Sequence, residues 1–156
     1  MGVLTDEQRD FLAAHRVGVL ATTAEDGKPR QSLVYYAWNG ERLLISTEGK
    51  RWKARDVRRS GWASLCVFGH EQPYPSGVFS GRAEILTKEI GVATAAVVQR
   101  IAGMDEAPEP QSDEALAAVD RVILAITVER VSAANYLPAR TAADASDGAA
   151  ADARGR

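Results

Sequence analysis

The sequence predicts a mainly β protein, an antiparallel barrel of six strands with helices at its periphery. Short runs rich in β-branched and aromatic residues are typical of strands. Turn-forming pairs such as Asp26-Gly27 and Asn39-Gly40 separate several of these runs. The alternation of strands with long helices that a parallel sheet requires is missing. The predicted strands are residues 17–23, 31–38, 43–47, 63–68, 78–87 and 122–131.

The first predicted element is a helix. Thr5 and Gln8 have the spacing of a capping box, which places the helix start near Asp6. Phe11 and Leu12 supply its apolar face. The chain then enters the first strand.

The pair Asn39-Gly40 is the strongest hairpin signal in the sequence, because both residue types accept a positive φ. It predicts that strand 43–47 returns antiparallel to strand 31–38.

The segment 50–59 differs abruptly from its surroundings. Six of its ten residues are Lys or Arg, against a single acid, Asp56. Trp52 and Val57 allow a short helix with one apolar edge, and Gly61 ends it.

The second half of the chain contains two strands, two helices and a final strand. Strand 78–87 is expected to bend at Gly81. Ser112 is a helix cap that starts a short helix. Because residues 141–156 have almost no large apolar side chains, we predict a disordered tail there and one domain over residues 1–140. The predicted helices are residues 88–103 and 112–119, joined by a Pro-rich linker over residues 104–111.

Composition excludes several classes of protein. A net charge of -2 and a pI near 5.7 argue against general nucleic-acid binding. The N-terminus lacks the pattern of a secretory signal, and no apolar run approaches a membrane span. We therefore expect a cytoplasmic protein without a membrane or nucleic-acid partner. His15, His70 and the single Cys66 are too few for a standard structural zinc site, so no metal is expected.

The basic loop, which we define as residues 50–53, is the main candidate for a binding site. Lys50, Arg51 and Lys53 offer the charged donors that a phosphate prefers, and a helix starting near Arg51 adds its positive end. The alternative is a solvated basic helix face. We assign the remaining arginines of this segment, at positions 55, 58 and 59, to solvent or partner contacts rather than to a ligand.

Four segments in this order resemble the pyridoxamine 5'-phosphate oxidase-like split-barrel superfamily, and within it the small F420-dependent reductases of actinobacteria. The segments are VGVLATT (17–23), DGKPR (26–30), LLIST (43–47) and RWKARDVRR (51–59). The resemblance implies a six-stranded FMN-binding split barrel that forms a homodimer. It also implies a cofactor, coenzyme F420 or alternatively FMN, in a groove at each end of the dimer interface.

The resemblance also implies which residues bind the cofactor. Arg51 and Lys53 match the positions that hold its phosphate, with Lys50 beside them. The remaining implied contacts are Ser46 and Thr47, near the ring or ribityl chain, and Arg30 and Ser32, in the ring groove.

The implied reaction is hydride transfer from C5 of reduced deazaflavin to a small conjugated acceptor. No catalytic residue is identified. Pyridoxamine phosphate oxidases carry a C-terminal Arg-Leu-x-Pro signature, whereas this chain has Asn135-Tyr136-Leu137-Pro138 without that arginine. This difference disfavours vitamin B6 oxidation.

Three alternatives stay open. One is an FMN-dependent oxidase or reductase of the same fold. Another is a non-catalytic carrier of flavin, deazaflavin or haem. The last is a single-stranded nucleic-acid binder, which the acidic pI disfavours. Substrate specificity is expected to depend on residues 69–76, on residues 104–111 and on the dimer partner.

Overall fold

Seven strands form one antiparallel sheet in the computed structural model, which describes residues 3–134. The tail at 141–156 and the segment 135–138 lie outside the described residues. The sheet order is β2-β1-β5-β6-β7-β4-β3. The strands are β1 (Val17–Thr23), β2 (Pro29–Tyr35), β3 (Ala37–Trp38), β4 (Arg42–Glu48), β5 (Trp62–Phe68), β6 (Ser76–Leu86) and β7 (Arg121–Ala134).

The prediction of six strands was wrong by one, because the predicted strand 31–38 is broken at Tyr36. The backbone N–H of Tyr36 donates to the carbonyl of Arg16 at 3.0 Å, one position beyond the last β1–β2 pair of Val17 and Tyr35, and the ladder with β1 ends there. Its buried hydroxyl donates to the carbonyl of Leu12 at 2.8 Å. Burial raises the pKa of this hydroxyl, so it remains a neutral donor. The break separates β2 from β3.

This break explains how the sheet closes. β2 and β3 are consecutive in the chain, yet they lie at opposite edges of the sheet. A single residue joins them, so the sheet must curl until its two edges meet. The result is a curled antiparallel sheet, as expected for a split barrel.

The inside of the curled sheet holds the main hydrophobic core. Alternate residues of each strand point inward, and the helices contribute Leu12 and Val57. A second apolar cluster lies on the outer side of β4 and β7, where Leu44 and Ile123 pack against Val97 and Leu116. Among the described residues, this second cluster includes no residue of β1, β2 or β5.

In the described part of the chain, four helices surround the sheet: α1 (Asp6–Ala14), α2 (Trp52–Ser60), α3 (Gly91–Ala102) and α4 (Asp113–Ala118). The capping box of Thr5 and Gln8 is formed, and Ser112 caps α4. Gly61 ends α2 with a φ of 66°. Among the helices of residues 3–134, none is long and apolar enough to cross a membrane.

The predicted bend at Gly81 is a β-bulge. The register between β6 and β7 shifts between Ser80 and Gly81, leaving Glu129 unpaired in that ladder. A Cβ at position 81 would lie 1.8 Å from the backbone oxygen of Thr127, so the close approach of the two strands requires glycine.

The predicted hairpin between β3 and β4 is confirmed, with a different turn. Gly40 has a positive φ of 95°, whereas Asn39 does not take one. Instead, Oδ1 of Asn39 accepts hydrogen bonds from the backbone N–H groups of Glu41 and Arg42 at 3.0 and 2.8 Å.

Candidate functional site

The backbone that leads into the basic loop is fixed by two distant residues. Asp120, just before β7, accepts a hydrogen bond from the N–H of Gly49 through its carbonyl and another from the N–H of Lys50 through Oδ2, both at 2.8 Å. Arg58, from α2, donates to the carbonyl of Gly49 at 2.6 Å. A Cβ at position 49 would lie 2.6 Å from Oδ1 of Asp120, so this packing requires glycine.

The start of α2 carries an unusual concentration of positive charge. Its N-cap residue is Arg51, which makes no side-chain cap, and the first turn contains no acid. A helix N-terminus already bears a partial positive charge and favours an anion. Placing Lys50, Arg51 and Lys53 at this end is therefore unfavourable in isolation and suits the binding of an anion.

Lys53 is the cation in this group that has no acidic partner. Its Nζ lies 5.5 Å from the centroid of the Trp52 ring, and no described carboxylate lies within ion-pair distance of it. Partial burial lowers the pKa of Lys53, and the nearby charge of Arg51 lowers it further. An anion bound here would stabilise the charged ammonium and so offset the lowering of its pKa by burial and by Arg51.

Arg30, from β2, joins the same cluster on the Trp52 ring. Its Cζ lies 5.7 Å from the ring centroid, so one indole contacts two cations. Asp56 holds this arginine, with Nε of Arg30 at 3.8 Å from Oδ2. The Trp52 ring is thereby in contact with two of the predicted cofactor ligands, Arg30 and Lys53.

Asp56 is a residue of the candidate site that sequence reasoning did not identify. It is buried, and its Oδ2 also accepts a hydrogen bond from the hydroxyl of Thr22 at 2.9 Å. Arg59 lies 3.4 Å from Oδ1 and donates to the carbonyl of Thr23. The available signal was its position as the single acid of segment 50–59, one helical turn beyond Trp52.

Arg58 and Arg59 are exposed, in keeping with their assignment to solvent, and the structure adds contacts that the sequence did not predict. Both side chains make hydrogen bonds within the chain, to Gly49 and to Thr23 and Asp56 respectively. Arg58 thereby holds the backbone before the basic loop, and Arg59 links α2 to β1.

Glu48 is the acid that competes for the basic loop. Its carboxylate lies 3.2 Å from Nζ of Lys50 and 3.6 Å from Nη2 of Arg51. The hydrogen bond and charge of Lys50, together with Arg51, hold the pKa of Glu48 below its usual range. Lys50 and Arg51 are therefore partly neutralised without a ligand, whereas Lys53 is not.

The residues predicted for the cofactor site are only partly brought together. Arg30 and Lys53 meet at the Trp52 ring, Arg51 is near enough to Lys53 to affect its pKa, and Lys50 is exposed. Ser46 and Thr47 are neighbours on β4, so their side chains point to opposite faces of the sheet. Thr47 is buried on the side of Ile45, and Ser46 lies on the side of Leu44.

Ser32 lies on the same face of β2 as Arg30, opposite Leu20 on β1. Its Oγ is buried and has no hydrogen-bond partner among the described residues. Buried hydroxyls normally have a hydrogen-bond partner, so a polar group of a ligand at this face of β2 would fit Ser32 as well as Arg30.

These observations fit a phosphate-bearing cofactor. Two guanidinium groups, two ammonium groups and the positive end of α2 are grouped at one end of the curled sheet. Phosphate is the group that such a set of donors recognises best.

Comparison with known proteins agrees with this fold. A sequence model described as pyridoxamine 5'-phosphate oxidase matches residues 4–135. A conserved hypothetical protein from Mycobacterium tuberculosis is 26% identical, with a TM-score of 0.66, over 90% of this chain and 95% of that chain. A protein described as an F420 reductase is also 26% identical, with a TM-score of 0.66, over 83% of this chain and 98% of that chain.

A FAD-binding protein from Mesorhizobium loti is 28% identical, with a TM-score of 0.63, over 83% of this chain and 94% of that chain. The match of the family model covers nearly all the described residues, including every strand and the basic loop. The chain therefore belongs to the pyridoxamine 5'-phosphate oxidase-like superfamily, whose fold is the flavin-binding split barrel.

Proposed function

We propose that this protein is an F420H2-dependent reductase that transfers a hydride to a small conjugated acceptor. The observation that carries the proposal is the meeting of Arg30 and Lys53 at the Trp52 ring, beside Arg51, the N-cap residue of α2, which makes no side-chain cap. A partly buried ammonium without an acidic partner is costly unless an anion binds it. The similarity to an F420 reductase supports a deazaflavin as the carrier of that anion.

In this proposal, Arg51 and Lys53 hold the cofactor phosphate, and Arg30 approaches from β2. Asp56 keeps Arg30 in place, while Asp120 and Arg58 fix the backbone before the basic loop. When bound, the cofactor supplies the hydride. The chain contributes binding, orientation and a positive electrostatic field.

FMN or another flavin is the second candidate, because a FAD-binding protein is as similar to this chain as the F420 reductase is. Both cofactors present a phosphate to the basic loop. The basic loop therefore supports phosphate binding but does not distinguish the ring system of F420 from that of FMN.

A homodimer is part of the proposal, and the outer face of β1, β2 and β5 is the surface that favours it. Leu33, Val19 and Cys66 are register neighbours in a row across this face. Leu33 is 69% exposed, and Tyr35, on the same face of β2, is 40% exposed. An exposed apolar sheet face of this kind is typical of a protein interface.

Titration of the full-length protein with F420 and with FMN, followed by ligand fluorescence, tests the function. We expect tighter binding of F420 than of FMN, and turnover of enone or quinone acceptors with F420H2. The Arg51→Ala/Lys53→Ala variant should raise the Kd at least about a hundredfold, because two charge-assisted contacts are lost. Arg55→Ala, which removes one exposed charge from the same helix, is the matched control.

Tighter binding of FMN would overturn the choice of F420. Unchanged affinity in the Arg51→Ala/Lys53→Ala variant would remove the basic loop from the site. Binding of F420 without reduction of any acceptor would contradict a reductase and support a carrier.

A further inference from the structure

The linker between α3 and α4 runs back along α3 and leaves a groove beside it. Nε2 of Gln99 donates to the carbonyls of Met104 and Asp105 at 3.3 and 2.8 Å, which holds the start of the linker against the end of the helix. At the other end, a Cβ at Gly91 would lie 2.5 Å from the backbone oxygen of Gln111. The linker is therefore close to α3 at both ends of the helix, and the groove between them follows the helix.

A cavity of about 210 Å³ lies in this groove. Its apolar walls are Ala95, Val98 and Pro108, and Glu109 carries the only formal charge among the residues that line it. The remaining lining residues are neutral: Gly91, Thr94 and Gln111. Pockets for small molecules usually have volumes of about 300–1,000 Å³. The cavity is therefore better matched to one large side chain than to a whole small-molecule ligand.

Exposed apolar side chains extend this surface toward the C-terminal end of α3. Val98 is 38% exposed, and Ile101, one helical turn further, is 50% exposed. Met104, just after the helix, is 47% exposed. The helix packs through Val97 in the cluster that includes no residue of β1, β2 or β5, so this surface is not part of the sheet face around Leu33. A group of exposed apolar side chains favours contact with another protein.

The linker side of the groove is acidic. Residues 104–111 contain Asp105, Glu106 and Glu109 and no Lys, Arg or His. All three carboxylates are exposed, and none of them is in an ion pair with a described residue. A partner that brings positive charge beside an apolar side chain would therefore complement this surface.

The cations of the adjoining segments lie at the two ends of the groove. Lys88 precedes α3. At the other end, Nη2 of Arg100 donates to the carbonyl of Ala13 at 2.8 Å, and Nη1 of Arg16 donates to the carbonyl of Arg100 at 3.4 Å. Both guanidinium groups thus interact with carbonyls at helix C-termini, where a positive charge is favourable. They leave the carboxylate of Glu109, in the middle of the groove, without a cationic partner among the described residues.

The backbone of the linker disfavours an added strand. Pro108 and Pro110 have no N–H group to donate, so a partner must be recognised through its side chains. Such recognition is typical of a helix that lies in a groove. The groove offers the length for it, since the twelve residues of α3 extend over about 18 Å.

We propose that this groove docks a partner protein through a basic amphipathic helix, which inserts a large apolar side chain between Val98 and Pro108 and places Lys or Arg beside the linker carboxylates. The docking site does not depend on the identity of the cofactor or on the proposed reductase activity.

Fluorescence anisotropy of a labelled helical peptide with the full-length protein tests this site. The probe is a peptide of about 14 residues, with Leu at every third or fourth position, Lys on both sides of that stripe and Ala elsewhere. We expect saturable binding that weakens as salt is added. A matched peptide with Glu in place of Lys should bind at least about tenfold more weakly, because like charges then face each other.

Two substitutions test the apolar part of the groove. Val98→Gln should raise the Kd of the Lys peptide about tenfold, and Ile101→Gln severalfold, because apolar contact area is lost. Val92→Gln is the matched control, since Val92 is exposed on the same helix and does not line the cavity. All three side chains are exposed, so we expect unchanged thermal unfolding.

Charge is tested by a matched pair of double variants. Glu106→Gln/Glu109→Gln should raise the Kd of the Lys peptide about threefold, as expected for exposed ion pairs. Glu25→Gln/Glu41→Gln makes the same change in net charge at exposed positions elsewhere and should leave the Kd unchanged.

The Arg51→Ala/Lys53→Ala variant should bind the Lys peptide as the wild type does, so this proposal and the proposed function fail independently. No binding of the Lys peptide, equal affinity for both peptides, or equal losses in Val98→Gln and Val92→Gln would overturn the proposal. A smaller mass for Val98→Gln than for the wild type in sedimentation equilibrium would also overturn it, because a second copy of the chain would then cover the groove.

Discussion

The hydroxyl of Thr22 donates a buried hydrogen bond of 2.9 Å to the carboxylate of Asp56. Thr22 lies on β1 and Asp56 on α2, so this bond fastens the helix that begins at the basic loop to the inside of the sheet. The same carboxylate oxygen lies 3.8 Å from Nε of Arg30. One buried acid thus links the position of α2 to the position of a candidate cofactor ligand.

This link predicts an energetic coupling between the two residues. Thr22→Val should lower the free energy of unfolding by about 1 kcal/mol, and Asp56→Asn by about 1–3 kcal/mol, since a buried charge network is broken. The double variant should lose about 1 kcal/mol less than the sum. Urea denaturation of the four proteins measures the coupling, and strict additivity would contradict a shared hydrogen bond.

Lys53 predicts a pH dependence of cofactor binding. Because burial and Arg51 lower its pKa, the ammonium loses its proton below the ordinary value of 10.5. Affinity for a phosphate ligand should therefore fall as the pH rises toward that value. Lys53→Arg keeps its positive charge throughout this pH range and should therefore make the affinity nearly independent of pH. Fluorescence titration with FMN or F420 between pH 7 and 10 measures this, and identical curves for both proteins would exclude Lys53 as the titrating group.

Glu48 predicts a variant that binds the cofactor more tightly. Its carboxylate competes with a phosphate for Lys50 and Arg51. Glu48→Gln should lower the Kd about twofold to fivefold, as expected for the loss of exposed ion pairs. Glu41→Gln, on an exposed turn away from the site, serves as the control. Weaker binding by Glu48→Gln would instead indicate that Glu48 orients the two cations.

The bulge at Gly81 predicts a strong effect on stability. A Cβ at this position would overlap the backbone oxygen of Thr127, and backbone atoms cannot move aside cheaply. Gly81→Ala should lower the free energy of unfolding by about 2–4 kcal/mol. At Gly27 a Cβ would have no neighbour within 4 Å, so Gly27→Asn, which tolerates a positive φ, should cost less than about 1 kcal/mol. Thermal unfolding measures the loss of stability in each variant, and equal losses in the two would argue against the bulge geometry.

The exposed face around Leu33 predicts a homodimer that one charge can disrupt. Sedimentation equilibrium should give the mass of two chains for the wild type and of one chain for Leu33→Arg, because an unpaired charge would be buried at the interface. Val92→Arg provides the comparison, since Val92 is 73% exposed on α3, away from this face. A dimeric Leu33→Arg protein would place the interface elsewhere.

Local chemistry was sufficient to predict much of the fold. The capping box at Thr5, the hairpin after Trp38 and the end of α2 at Gly61 depend on residues close in sequence. The strand break at Tyr36 could not be predicted in this way, because its partners, Arg16 and Leu12, are remote in the sequence. Residues 33–38 form one uninterrupted run of apolar and aromatic residues, so the sequence pattern resembles a single strand.

The same distinction between nearby and remote partners separates what could be predicted of the candidate site from what could not. Arg51 and Lys53 were predicted because a basic run at a helix start is visible in the sequence. The role of Asp56 was not predicted, because its partner Thr22 lies 34 positions away. The separation of Ser46 and Thr47 follows from the period of a strand, so that information was present in the sequence.

The contacts of Asp120 with Gly49 and Lys50 have a consequence for the order of assembly. Lys50 and Asp120 are 70 positions apart, so until the start of β7 has been synthesised the backbone before the basic loop has only the bond from Arg58 to Gly49 and lacks both bonds to Asp120. A chain emerging from the ribosome carries all the predicted cofactor ligands long before it carries the residue that fixes their loop. Cofactor capture during translation would therefore wait for the last strand, and C-terminally truncated chains that end before residue 120 would carry the basic charges without the geometry that selects a phosphate.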